Sequence, residues 1–378
     1  MTNREKLINY IKHGGDEFLC SPQIGAGAGF DTKMVGKTWF SSTTAEDTRR
    51  ACEMFDMVPL YNFGLPDLVP LTRDIRREGA PLEIGANGRH IYKSSFITPL
   101  GTLTQTTIED ELKGMCPTKY PLSDEDELPI LEYYLDSLLE LDDFSSVTDQ
   151  IRGIRAAVGE SEALDIQWAM QPYELLCFPS TMDTALLALD CPDTFYRLMD
   201  KILRLDEKLI SAVAAGGADF VFLGGPGAEM VSPRYYEEFL VPYSKQVTDM
   251  VHKAGMLVYT HICSPIEPML TMGYYNQMGI DLFETLSEAP VGNVKSIEDA
   301  FSKLDERICT RGNIGLDRLM NETPEQIREL SLHILETAKR MGRKHILAAS
   351  DYMFYETSVD NVHAMCAAVR EFNEKNKA

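Results

Sequence analysis

From Ala163 onward the sequence alternates short, β-branched-rich apolar runs with longer amphipathic stretches, which restricts the chain to parallel strands joined by helical crossovers. The runs are Ala163–Met170, Ala218–Leu223, Met256–Cys263, Ile280–Thr285, Arg307–Arg311 and His345–Ser350. Helix starts separate them. Ser232-Pro233 opens the stretch Ser232–Lys253, and Thr323-Pro324-Glu325-Gln326 opens Thr323–Arg343, each as an N-cap followed by a first-turn proline. Such units form an open sheet or a closed barrel. An open sheet would carry a GxGxxG phosphate turn after its first strand, and neither Gly25-Ala26-Gly27-Ala28-Gly29 nor Gly224-Gly225-Pro226-Gly227 has that spacing. Both read as tight loops. The strands from Ala163 onward therefore favour closure with two earlier ones into a (β/α)8 barrel.

The first half is less regular. Short helices are expected around Arg4–Lys12 and around Ala45–Asp56, the latter opened by Thr43/Thr44. Leu82-Glu83-Ile84 and His90-Ile91-Tyr92 flank the turn signal Gly85-Ala86-Asn87-Gly88, and Ser95–Thr98 and Thr102–Thr106 flank Pro99-Leu100-Gly101, so two hairpins follow. Ser123–Leu141 reads as a helix with an acidic solvated face. No repeat, low-complexity tract or linker divides the chain. Residues 1–378 are read as one distorted (β/α)8 TIM barrel, with an N-terminal helix and β-hairpin cap within about the first 140 residues.

Charge and cysteine usage narrow the function. The 36 Lys+Arg against 58 Asp+Glu leave a net charge of −22, which repels phosphate and argues against nucleic acid. No eighteen-residue apolar window occurs, and the N-terminus lacks an apolar signal core, so no membrane association and a cytoplasmic location are expected. The eight cysteines are dispersed with no CxxC, and apart from Cys263 each reads first as a small buried hydrophobe.

In a parallel barrel the reacting groups gather at the C-terminal strand ends. That rule selects Gln171, Gly224-Gly225, His261 and Cys263, Glu284, Asn313 and Asp351. On an extended strand Tyr259, His261 and Cys263 share one face, so an imidazole and a thiolate can reach one ion at the mouth. Zinc suits nitrogen and sulfur donors, with a third protein ligand and one open position in a catalytic site. Asp351 and Glu284 are the carboxylates available for the third place. Asn313 and Glu284 are the further catalytic candidates. His13, His90, His252, His333, His345 and His363 have no second ligand at metal spacing and read as surface or capping residues, and Cys309 as packing. No GxSxG, HExxH, P-loop or kinase motif is present.

The stretch GADFVFLGGPGAEMVSPRYYEEFLVPYSKQVTDMVHKAGMLVYTHIC, with RGNIGLDRLMNETPEQIREL and DNVHAMCAAVREF after it, resembles the uroporphyrinogen decarboxylase superfamily from about Gly217 to the C-terminus, and ITPLGTLTQT resembles its N-terminal hairpin segment. The resemblance implies a distorted (β/α)8 barrel. It also implies a choice between two branches. Decarboxylases of the superfamily hold porphyrinogen carboxylates with an arginine-rich N-terminal motif, and the corresponding LCSPQIGAGAGFDTKMVGKTWF contains no arginine. The other branch comprises zinc-dependent methyltransferases that work with corrinoid proteins and carry His-x-Cys with a later cysteine; His261-Ile262-Cys263 matches the first part. Anchoring on Asp360-Asn361-Val362 places Asp351 or Ser350 where that later cysteine is expected, which is why Asp351 is preferred as third ligand.

A carboxylate in place of a thiolate makes a harder Lewis acid, better matched to an oxygen donor. The resemblance therefore implies methyl transfer from a methyl ether to the cobalt of a corrinoid (cobalamin) carried by a separate protein, since this chain has no Asp-x-His-x-x-Gly. A small methylated substrate, such as a methoxylated aromatic, is the expected donor. Tyr92, Phe96, Trp168, Tyr173, Met230 and Tyr352 are apolar candidates to line its pocket. The alternatives are a methylcobamide:thiol methyltransferase of the coenzyme M type and a metal-free binding or regulatory barrel.

Overall fold

Two very short strands, β1 (Leu19–Cys20) and β2 (Leu60–Gly64), begin the sheet that organises the molecule. A computed structural model describes residues 1–21, 23–24, 28–38, 44–64, 71–72, 74–110, 114–167 and 178–377. After β2 the chain forms a separate antiparallel sheet from β3 (Arg76–Gly79), β4 (Glu83–Ile84), β5 (His90–Thr98), β6 (Gly101–Asp110) and β7 (Gly114–Lys119). It then returns through β8 (Ala163–Gln167), β9 (Phe220–Phe222), β10 (Leu257–His261), β11 (Leu282–Thr285), β12 (Cys309–Ile314) and β13 (His345–Ala349).

The parallel sheet runs β1-β13-β12-β11-β10-β9-β8-β2, so strands consecutive along the barrel path are also neighbours in space. Its two ends meet where the Val58 amide donates to the Cys20 carbonyl at 2.9 Å. This is the eight-stranded α/β barrel expected from the alternating pattern. The helices that cover it are set by local chemistry. Thr323 and Gln326 form a reciprocal capping box ahead of the helix Pro324–Arg340, Thr44 and Asp47 do the same for Ala45–Glu53, and Thr2 and Glu5 cap Asn3–His13. The stretch opened by Ser232-Pro233 carries a π turn at Tyr236–Leu240 before Val241–Lys253.

Three boundaries differ from the sequence reading. The antiparallel sheet is an insertion between the second and third barrel strands, not a segment that precedes the barrel; β1 is too short to show a periodic pattern, and β2 lies far ahead of the alternating units that begin at Ala163. β10 ends at His261, two residues before Cys263. β12 covers Cys309–Ile314, later than Arg307–Arg311, so Asn313 sits within the strand. Gln171, Trp168, Tyr173, Thr43 and the glycines at 25 and 27 lie outside the described residues.

The inserted sheet is held by aromatic packing. Phe96 of β5 lies edge-on to Tyr134 of the helix Leu128–Leu139 at 4.8 Å and to Phe178 at 5.1 Å, and all three rings are buried. Phe96 is thereby a packing residue of the insertion. No helix of the described residues is long and apolar enough to cross a membrane.

Candidate metal centre at the barrel mouth

Inward-facing positions of the later strands are polar, which is unusual for a barrel interior and shows where chemistry is built. In register, His261 of β10 lies beside Glu284 of β11, and Glu284 lies beside Arg311 of β12. His261 Nδ1 is 3.0 Å from Glu284 Oε1. The other Glu284 oxygen pairs with the Arg311 guanidinium, and both side chains are almost fully buried. Arg311 also donates to Ser21 Oγ at 3.3 Å and lies 6.0 Å over the Tyr259 ring. Tyr259 in turn donates to Asp165 Oδ2 at 2.9 Å, and burial pushes the Asp165 carboxyl well up, with the Glu284 charge adding to the effect.

With Nδ1 occupied by Glu284, His261 presents Nε2 to the mouth, 3.3 Å from Asp351 Oδ1. His261, Cys263 and Asp351 each bring one donor atom within 4.8 Å of the others, the only such triplet among the described residues. Burial works to lower the His261 pKa, yet hydrogen bonds with Asp351, Cys263 and Glu284 outweigh it and hold the imidazole well above its usual range. Burial likewise works to raise Asp351, but the His261 partner and its charge hold that carboxyl below its usual range. A positive charge is thus favoured among these three donors.

A nitrogen at the end of β10, a sulfur two residues beyond it and a carboxylate oxygen from the loop after β13 fit a zinc ion with one position left for a ligand. The arrangement around His261 fits too, because an imidazole that gives its far N–H to a carboxylate is fixed in tautomer and orientation for metal ligation. Glu284 serves the histidine from the far side, and Asp351 occupies the third corner.

Cys263 lies beyond the strand, so its position depends on contacts that strand alternation did not reveal. Thr285 Oγ1 donates to the Ile262 carbonyl at 2.7 Å and pins the backbone between His261 and Cys263. Thr285 itself has φ of +92°, a left-handed value uncommon for a β-branched residue. On the other side the Gly224–Gly227 loop closes onto the turn after Cys263, with the Ala228 amide donating to the Pro265 carbonyl at 2.7 Å. A Cβ on Gly227 would stand 2.5 Å from that of Ser264, so glycine is required by close approach.

Tyr352 follows Asp351 and stacks on His261 with ring centroids 5.7 Å apart. Its phenol oxygen accepts from Asn62 Nδ2 at 2.7 Å and from Gln167 Nε2 at 3.3 Å, tying the ends of β2, β8 and β13 together. Burial pushes its pKa well up, so it stays protonated. Of the other apolar candidates, Tyr92 and Met230 are exposed. Sequence reasoning overlooked Arg311, Asn62 and Thr285; an arginine inside a strand that also contains Cys309 and Ile314 was the available signal for the first.

Asn313 does not join the cluster. It donates to the Leu286 carbonyl at 3.3 Å and lines a separate cavity of about 280 Å³ with Glu288, Arg318 and His333. His345 departs from its expected surface or capping role: it is fully buried, bonded through Nδ1 to Thr310 Oγ1 at 2.9 Å, and burial lowers its pKa to about 3.

Residues 119–372 match the sequence profile of the uroporphyrinogen decarboxylase (URO-D) family, and the chain belongs to that family. Among its curated relatives are uroporphyrinogen decarboxylases of Prochlorococcus marinus. That of strain NATL1A is 24% identical over 192 residues, covering 50% of this chain and 51% of its own length; that of strain MIT 9211 is 24% identical over 296 residues, covering 75% and 78%. The chain spans about half the length of the first of these relatives. A methyltransferase from Methanosarcina mazei shares the fold across 98% of this chain and 99% of its own, with a TM-score of 0.68 at 17% identity.

Proposed function

We propose that this chain is the methyltransferase component of a corrinoid-dependent O-demethylase, with zinc held by His261, Cys263 and Asp351. The observation that carries the reading is the convergence of those three donors at the C-terminal end of the barrel, with Glu284 on the far nitrogen of the histidine. The methyltransferase that shares its fold, and the lack of arginine in the N-terminal segment where decarboxylases of the superfamily bind porphyrinogen carboxylates, support methyl transfer over decarboxylation. Bound zinc would supply Lewis acidity toward the ether oxygen of the donor, and a corrinoid on a separate protein would supply the cobalt that accepts the methyl group.

The residues of the chain divide the remaining work. Glu284 fixes the His261 ring, and Arg311 pairs with the other Glu284 oxygen and holds the carboxylate in place within the barrel. Asp351 brings oxygen where a thiolate would favour sulfur substrates, which inclines the site toward an ether or alcohol oxygen. Tyr352, fixed by Asn62 and Gln167, offers a protonated phenol beside the cluster that can donate to an oxygen acquiring negative charge. Its ring and that of Phe222, which lies 6.5 Å from His261, give the mouth aromatic surface suited to a methoxylated ring.

Metal analysis of the purified chain is the first test. Stoichiometric zinc in the wild type, lost in both His261→Ala and Cys263→Ser, is the expected result, and a wild type that binds no zinc overturns the proposal. The zinc-loaded protein, mixed with a reduced corrinoid carrier and a panel of methoxylated aromatics, should produce methyl-cobalt absorbance. Demethylation of methylcobalamin by free thiols with no reaction from any ether would reverse the direction.

A further inference from the structure

The N-terminal face of the barrel, opposite the His261 cluster, contains a buried pair of thiols. Cys20 on β1 and Cys366 on the C-terminal helix Val359–Lys377 are 346 residues apart in sequence, yet their sulfurs lie 3.4 Å from each other. Both are buried from bulk solvent at 6% and 2% exposure, but both line a cavity of about 480 Å³. Segments that precede β1 and β2, including Phe18, Asp56 and Val58, form its walls, which places it at the strand starts and away from His261. Arg370 faces the same cavity, one helical turn after Cys366; the Cys366 hydrogen bond and burial push the Cys20 thiol well up, and the Arg370 charge opposes that push without overcoming it.

Two thiols at this separation need to close by only about 1.4 Å to reach the disulfide length of about 2.05 Å. Cys52, also buried, does not line the cavity. We propose that Cys20 and Cys366 are a reversible redox pair, oxidised to a disulfide by a small peroxide that enters this cavity. One thiolate attacks the peroxide, forming an S–O bond as the O–O bond breaks and water leaves after protonation. The second thiolate then attacks the sulfenic sulfur, the S–S bond forms and a second water departs. Two thiols are oxidised and one peroxide is reduced, and an external dithiol returns the pair to its starting state.

The bond would act on the seam of the barrel. Cys20 accepts the Val58 amide that closes β1 onto β2, and its strand pairs with β13 on the other side. A link from Cys20 to the last helix therefore clips that helix to the closure point.

The experiment is peptide mapping of the full chain after hydrogen peroxide, with alkylation before and after reduction. The expected result is a Cys20–Cys366 cross-link that disappears with dithiothreitol and a thermal midpoint that rises by several degrees in the oxidised wild type. Cys52→Ser should keep both effects, whereas Cys20→Ser and Cys366→Ser should each lose them. If either serine variant fails to fold, the wild-type map alone decides. Sulfinic or sulfonic acid at either position without the cross-link, pairing of either with Cys52, or full alkylation of both thiols after exposed Cys116 has been oxidised would overturn the proposal.

Discussion

Replacing Glu284 by Gln separates its two duties with little change in shape. The carboxylate is fully buried between His261 Nδ1 and the Arg311 guanidinium. Toward the histidine, loss of an oriented carboxylate partner weakens metal affinity by about 10–100-fold, or ~1.4–2.7 kcal/mol. Toward Arg311, the substitution leaves a buried cation without its counter-charge, at a cost of about 3–5 kcal/mol. With 378 residues and about 2.1 cal/mol/K of unfolding entropy per residue, that cost corresponds to a fall of ~4–6 °C in the midpoint of the metal-free protein.

Competition for zinc against a chromophoric chelator reads the first effect, and thermal unfolding with and without chelator reads the second. The double variant Glu284→Gln with Arg311→Met removes both charges, so much of the lost stability should return while zinc affinity stays low. Zinc affinity within about twofold of wild type in Glu284→Gln would refute the role assigned to Glu284 at the metal, because the same buried contact could not then be orienting the ligand.

Other residues give further tests. Thr285→Val removes the hydroxyl that holds the Ile262 carbonyl, and zinc titration should show weaker binding together with a stability loss of about 1 kcal/mol. Gly227→Ala places a methyl group against Ser264 and the Glu229 carboxylate and should cost about 1–3 kcal/mol in denaturant unfolding while also weakening zinc through the turn at Cys263. His345 titrates near 3 in the folded chain and near 6.5 when unfolded, so its contribution is complete above about pH 6.5 and is lost as pH falls, at about 1.4 kcal/mol per unit. Unfolding of His345→Asn followed from pH 6.5 to 5 should lack about 2 kcal/mol of that acid sensitivity, and an identical pH slope in variant and wild type would contradict the assignment.

How much of the molecule was legible depended on element length. The crossover helices opened by Ser232-Pro233 and Thr323-Pro324 were readable because an N-cap and a first-turn proline are local chemistry. The hairpin turning at Pro99-Leu100-Gly101 was readable for the same reason: β5 and β6 pair in register from His90 with Glu109 to Thr98 with Gly101. β1 has only two residues, too few for a period to emerge, and β2 stands apart from the alternating strands and capped helices that begin at Ala163, so the insertion after β2 looked like a leading cap. At the mouth, His261 and Glu284 were found because both lie on strands that could be located. Arg311 was passed over, and Asn313 was placed at a site it does not share, because the β12 run was read about three residues early at its C-terminal end.

The sequence by itself determined the class of fold and the types of donor. Alternation of apolar runs with capped helices admits parallel β/α units, and His-Ile-Cys with a distant aspartate is chemistry carried by the residues themselves. Only the tertiary structure decided which carboxylate does what. Neighbouring strands in register put Glu284 on Nδ1 and Arg311 behind it, while the loop after β13 returns Asp351 to Nε2. These contacts join residues 23 to 90 positions apart, and their geometry follows from how the strands close around the barrel, which local sequence preference does not encode.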